Sequence, residues 1–218
     1  MNADIRVTGN PAEEAAQLLS GLSGHLALTG GSTPKAAYER AAELRQDWSG
    51  VDFWFTDERC VPPDHEHSNF GMADRVLVSR AQGATVHRIR GELGPQEGAA
   101  AYEAELDELG PGVLDLVLVG VGPDAHICSL FPGDAALAER ERRVVGVETP
   151  GMAPLVSRIT LTLPVVNAGR QIVFLVTGED KAEAVRRVFA GPPDPDAPGS
   201  LVEGNVIALL DPAAAARL

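Results

Sequence analysis

The residues best suited to chemistry are Asp124 and His126, in the stretch Leu114 to Gly133, LDLVLVGVGPDAHICSLFPG. Histidine is the side chain whose ordinary pKa lies nearest neutrality, so it exchanges protons at working pH. A carboxylate two residues away suits orienting the ring or holding the loop. Anion-binding groups are scattered along the chain. The loop Gly30-Gly31-Ser32-Thr33-Pro34 opens a helix, where free amides and the helix dipole favour negative charge. The same residues also suit a tight, well-capped turn. Asp57 and Arg59 in TDER suit orienting a polyol and pairing a phosphate, and equally suit a surface ion pair. Lys181, in VTGEDK, is one of only two lysines against sixteen arginines, and it stands in a first helical turn, where the dipole disfavours a cation.

These residues need a scaffold that gathers them. Leu114 to Val119 is alternating and then continuously apolar, as in a buried parallel strand. His25 to Thr29, Val51 to Phe55 and Gln171 to Val176 have the same character, and a polar loop follows each. In an open parallel sheet the ligand lies beyond the carboxyl ends of the strands. The loops at Gly30, Asp57, Gly120 and Gly178 therefore converge if their strands are neighbours. The fold class is α/β: a Rossmann-like, mostly parallel sheet flanked by helices on both faces, in a single domain spanning residues 1–218.

Further elements complete the expectation. Strands are expected at Asp4 to Val7, Val86 to Ile89, Arg143 to Val147, Arg158 to Leu163 and Asn205 to Leu210. Asn10-Pro11-Ala12-Glu13 starts a helix, with Asn10 as cap and Glu13 reaching back to it. Thr33 caps and Pro34 starts the helix that runs to about Gln46. Ser68 caps a helix from Asn69 to about Val78, and another covers Pro95 to Leu109. Gly191 to Ser200, GPPDPDAPGS, is expected as a surface loop, and Pro212 to Leu218 as a terminal helix.

Composition excludes several classes. A formal net charge of −13 opposes nucleic acid and anionic membranes as partners. No apolar run approaches the roughly 20 residues of a spanning helix. The start, MNADIRVTGNP, lacks the basic and apolar regions of a signal peptide, so a cytoplasmic protein is expected. Cys60 and Cys128 have no metal-type spacing. His65 and His67 with Asp64 and Glu66 lack an evident third ligand, so no metal is expected. Gly120 to Ala125 formally matches G-x-G-x-x-A, but Pro123 and the following Ser-Leu-Phe-Pro interrupt the helix that a dinucleotide site needs. No cofactor is expected. No G-x-S-x-G elbow is present, and acid–base chemistry on a small phosphorylated substrate is favoured.

Taken together, GGSTP (Gly30 to Pro34), TDER…SN (Thr56 to Arg59, Ser68-Asn69), GVGPDAHICSLFPG (Gly120 to Gly133), RITLTLPVVN (Arg158 to Asn167) and VTGEDK (Val176 to Lys181) resemble the 6-phosphogluconolactonase family. The resemblance covers nearly the whole chain, in the family's order. It implies hydrolysis of 6-phospho-D-glucono-1,5-lactone in the oxidative pentose phosphate pathway. It implies catalytic roles for His126, Asp124 and Arg59, with His126 as general base towards water. Gly30, Gly31, Ser32, Asp57, Arg59, Ser68, Asn69, Arg158 and Lys181 are then the expected substrate and phosphate ligands. The partner is a small sugar phosphate lactone, and a monomer or weak homodimer is expected. The related glucosamine-6-phosphate deaminases share several of these loops, and a sugar-phosphate sensor is the non-enzymatic alternative. The family usually carries glycine where this chain has Ala125, which strains the loop if that residue needs a positive φ.

Overall fold

The computed structural model describes residues 2–109 and 112–218. Among the described residues ten strands and six α-helices follow in order. They are β1 (Ala3–Val7), α1 (Pro11–Gly21), β2 (Gly24–Leu28), α2 (Ser32–Leu44), β3 (Val51–Phe55), β4 (Asp57–Arg59), α3 (Asn69–Val76) and β5 (Thr85–Val86). Then come α4 (Pro95–Leu109), β6 (Leu116–Val119), β7 (Val144–Val147), β8 (Arg158–Leu161), α5 (Leu163–Asn167), β9 (Ile172–Val176), α6 (Ala182–Phe189) and β10 (Val206–Leu210).

Seven strands form one sheet in the order β1-β10-β9-β6-β2-β3-β5, and every pairing is parallel. β6, β9 and β10 are buried at every position, which requires cover on both faces. Their continuous Val, Ile and Leu runs meet that requirement. From β2 the chain moves outward through β3 to β5, whereas from β6 it moves the other way through β9 to β10. The adjacent pair β6 and β2 is therefore the topological switch point, where a crevice opens beyond the carboxyl ends. The four polar loops leave β9, β6, β2 and β3, which are consecutive neighbours.

The two tyrosines of the chain fix this edge. The Tyr38 hydroxyl accepts from the Thr29 amide and donates to the Thr29 carbonyl, both at 2.8 Å. Tyr102 does the same for Phe55 at 2.8 and 3.1 Å. Each buried hydroxyl thus satisfies the last backbone groups of a strand as it leaves the ladder.

A second sheet, antiparallel in the order β4-β8-β7, stands beside the first. TDER is therefore a strand and not the expected loop. Thr56 makes the change of sheet: its amide donates to Leu28 of the large sheet and its carbonyl accepts from Leu161 of the small one, both at 2.8 Å.

Several local expectations are corrected. α2 starts at Ser32 with Gly31, φ 119°, at the cap position. Thr33 is thus inside the helix, and its hydroxyl meets that of Thr177 at 2.7 Å, joining the loops after β2 and β9. Asn10 does cap α1 through the Glu13 amide, but the Glu13 carboxylate turns to Arg40. The strand expected over Val86 to Ile89 is found at Thr85–Val86; the His87 amide still donates to the Phe53 carbonyl at 2.8 Å, and its ring bridges Asp52 and Glu105 at 2.9 Å each. Pro212 to Arg217 forms turns and not a helix. There the Asp211 carboxylate accepts from Ala214 and also from Gly178 of the crevice loop. α5, built on LPVVN, was not expected. Gly191 to Ser200 is a surface loop only in its first part, since Ala197 to Ser200 are buried. Among the described residues no helix is long and apolar enough to cross a membrane.

Candidate active site

Loop 120–126 turns back on itself immediately after β6. The Gly122 amide donates to the His126 carbonyl and the Ala125 amide to the Gly122 carbonyl, both at 2.9 Å. This tight closure brings Asp124 against His126: Asp124 Oδ1 lies 2.5 Å from His126 Nδ1 and 3.2 Å from the His126 amide. Burial pushes the Asp124 carboxyl up, but the hydrogen bonds and charge of His126 outweigh it, and the group sits below its ordinary value. Asp124 is therefore an anion at neutral pH, and it places the ring proton on Nδ1. A depressed carboxyl stabilises the fold above its unfolded value, about 3.9, and that contribution fades as pH falls through the lower folded value. Nε2 has no partner among the described residues and is left for the cavity. The His126 ring is also held at 4.5 Å, centroid to centroid, against Phe131.

Two backbone positions pay for this geometry. Ala125 is buried with φ 70° and Cys128 has φ 50°. For alanine the left-handed region costs about 1–2 kcal/mol. Ala125→Gly removes that strain and returns part of it as unfolded-chain entropy, about 0.4–1 kcal/mol. The expected result is a melting temperature raised by about 1–3 °C, read by thermal unfolding. At Gly122 a β-carbon would lie 2.1 Å from His126 Nδ1 and 2.6 Å from Asp124 Oδ1. Gly122→Ala is therefore expected to displace the imidazole and to slow any reaction that uses it by about 10²-fold in kcat.

The loop faces a cavity of about 240 Å³ at the switch point. Of the residues singled out from the sequence, Gly30, Gly31, Asp57, Arg59, Asn69, His126, Arg158 and Lys181 line it. Ser32 lines an adjoining cleft that shares Gly30, Gly31 and Lys181. Asp124 lies behind His126. Ser68 is turned away: it caps α3 through the Gly71 amide and donates to Glu58 at 2.9 Å. The buried Glu58 carboxylate also accepts from the amides of Arg59, Asn69 and Phe70, so the N-terminus of α3 already holds an internal anion. Burial pushes Glu58 up, and these hydrogen bonds only partly oppose it.

Ser129 was not singled out as a ligand, although it stands three residues beyond His126. Its hydroxyl donates to Asp57 Oδ2 at 2.7 Å, and Asn69 donates to Asp57 Oδ1 at 3.1 Å. Both carboxylate oxygens of Asp57 are thereby fixed at the cavity wall. Met152 and Ala153 also line the wall, and nothing in their type marks them in the sequence. Cys128 lines the cavity too, but burial pushes its thiol far up, so it is no thiolate nucleophile.

The cations are unevenly satisfied. Arg59 and Arg158 face each other in register across β4 and β8. Arg59 donates to the His67 carbonyl at 2.6 Å and Arg158 to the Pro154 carbonyl at 2.8 Å. The Nε atoms of both are buried and unpartnered among the described residues. Burial, then the Arg59 charge, holds the Arg158 guanidinium below its ordinary value, though an arginine stays protonated throughout. Like charges opposed on paired strands are unfavourable, and two buried donors without acceptors add to the cost. An anion beside the two guanidiniums would relieve the repulsion between their charges. Lys181, one-quarter exposed and 3.6 Å from Asp180, faces the cavity from the start of α6. Among the described residues no cluster of three or more His, Cys, Asp or Glu is placed to hold a metal.

Residues 10–209 match the family described as glucosamine-6-phosphate isomerases/6-phosphogluconolactonase. The chain belongs to this family. Within the glucosamine-6-phosphate isomerase/6-phosphogluconolactonase family it is 38% identical over 205 residues to a 6-phosphogluconolactonase of Nostoc sp., covering 88% of this chain and 84% of that one. It is 40% identical over 174 residues to a human 6-phosphogluconolactonase, covering 75% and 67%. The solved 6-phosphogluconolactonase from Trypanosoma cruzi superposes with a TM-score of 0.85 at 29% identity, covering 100% of this chain and 97% of that one. The parallel sheet and flanking helices are those of the family.

Proposed function

We propose that this family member hydrolyses 6-phospho-D-glucono-1,5-lactone to 6-phospho-D-gluconate, acting in the cytoplasm with the whole chain as one catalytic unit. The observation that carries the proposal is the Asp124-oriented imidazole of His126 on a cavity whose opposite resources are two buried, underused guanidiniums. A proton acceptor beside an anion cradle suits a substrate with a reacting carbonyl and a phosphate.

The chemistry follows from the hydrogen bonds. With Nδ1–H committed to Asp124, Nε2 carries the lone pair and takes a proton from water as its oxygen bonds to C1. The carbonyl electrons move to oxygen, giving a tetrahedral oxyanion, which amides near Gly31 and Ser32 stabilise. The C1–ring oxygen bond then breaks, and His126 returns its proton to that oxygen. The carboxylic acid ionises to release a proton, so water alone balances the reaction. Arg59, Arg158 and Lys181 hold the phosphate, and Asp57, fixed by Ser129 and Asn69, accepts from a sugar hydroxyl.

The test uses lactone generated in place by glucose-6-phosphate dehydrogenase, with its decay followed with and without the protein. Decay faster than the spontaneous background is expected. No excess, with saturable binding of 6-phosphogluconate, would make the protein a sensor. Ammonia released from glucosamine 6-phosphate would make it a deaminase.

A further inference from the structure

Nothing in the chemistry above uses Arg187 or the turn that follows α6, yet both grip the back of the catalytic loop. The Gly199 amide donates to the Ala125 carbonyl at 2.9 Å. Arg187 reaches from α6 to the Asp124 carbonyl at 3.5 Å, donates to the Asp196 carbonyl, and lies 3.8 Å from the Asp194 carboxylate. The guanidinium thus ties the carbonyl beside His126 to the turn that carries Gly199.

That turn is itself rigid. Ser200 Oγ accepts from the Asp194 amide at 2.8 Å and donates to its carbonyl at 3.2 Å. Asp194 Oδ1 accepts from the Asp196 amide at 2.9 Å, and its carbonyl accepts from Ala197 at 2.8 Å. Pro193, Pro195 and Pro198 fix φ along the segment. Space at the contact is also used up: a β-carbon on Gly199 would lie 2.8 Å from Val188 and 3.3 Å from Ile127. A proline-rich segment that reads as a surface loop in the sequence is half buried for this reason.

The gripped residue is Ala125, whose left-handed backbone is unfavourable for any side chain. Left free, Ala125 would relax and carry its neighbours Asp124 and His126 with it. We propose that Arg187 and the Asp194–Leu201 turn form a clamp that holds Ala125 at positive φ and thereby positions His126. Arg187 and Gly199 are positioning residues and touch no substrate. The clamp rests on the lactonase proposal only for its kinetic consequence. It also places the cavity-facing Lys181 and the loop-gripping Arg187 at opposite ends of one short helix.

The experiment is a double-substitution cycle of Arg187→Met and Ala125→Gly, read by lactone hydrolysis and by amide hydrogen exchange at positions 122 and 125. Arg187→Met is expected to lower kcat about tenfold with KM within about twofold, since a displaced general base weakens the chemical step and leaves phosphate contacts intact. In the Ala125→Gly background, where positive φ costs nothing, the same substitution should lower kcat less than about threefold. Exchange at both amides should quicken in Arg187→Met and recover in the double variant. If Arg187→Met unfolds the protein, Ser200→Ala loosens the same turn from the other side and should show the same rescue. Equal losses in both backgrounds, or a loss confined to KM, would overturn the clamp. A wild type without lactonase activity would overturn the functional proposal, and the exchange measurement would still decide the clamp.

Discussion

His126→Ala is expected to lower kcat for the lactone by about 10²–10⁴-fold, with KM changed little. The imidazole is the group on the cavity wall that combines an orienting carboxylate with a free ring nitrogen. The Asp124 bond and the Phe131 contact restrict its position, so no other described side chain can take its place without moving the loop. Cys128 is not a substitute, because burial keeps it a thiol. The guanidiniums are donors only. Asp124→Asn should approach the same loss. It removes the anion and can present an N–H to Nδ1, which turns the imidazole proton towards the cavity and leaves no acceptor for water. Progress curves corrected for spontaneous hydrolysis measure both. A His126→Ala protein within tenfold of wild type would remove His126 from the chemistry and leave the cavity as a binding site.

The part of this site that could be read in the sequence is the part carried by local pattern. The loops at Gly30, Gly120 and Gly178 and the segment at Asp57 each follow a short apolar run, so their place beyond strand ends was predictable. Their convergence depended on strand order, which no local pattern contains; it is the parallel pairing of β2, β3, β6 and β9 that joins them. TDER misled because its carboxylates look solvated. Asp57 and Glu58 are in fact buried, sustained by Ser129, Asn69, Ser68 and backbone amides from distant segments. The same blindness applies to GPPDPDAPGS, where composition signals solvent and tertiary contact with the catalytic loop determines burial. Ser68 carries a cap signal, and the cap is what the structure uses. Ala125 is a different case: the family's glycine left a positive φ and an ordinary backbone equally open, and the structure has the positive φ.

Arg158→Met is expected to weaken binding of 6-phosphogluconate and of inorganic phosphate by about 10²-fold while moving the melting temperature by less than about 4 °C. The two readouts separate because the forces on Arg158 oppose each other in the empty protein. Burial and the facing Arg59 charge disfavour it, and its Nε has no acceptor. Against these stand its hydrogen bonds to the carbonyls of Pro154 and Met152, which hold the cavity wall. Replacing a buried charge by an apolar side chain of similar length is often neutral or stabilising, so the losses and gains nearly cancel. A bound phosphate changes only one side of that balance. Beside the guanidiniums it would pair with their charge and screen them from each other, an interaction that methionine cannot make. Saturating phosphate should therefore raise the wild-type melting temperature and leave that of Arg158→Met almost unmoved. Calorimetric titration and thermal unfolding with and without phosphate provide the check. A variant that melts many degrees lower yet binds phosphate normally would make Arg158 a brace for the wall at Met152 and Pro154. It would leave Lys181 and the N-terminus of α2 as the anion site.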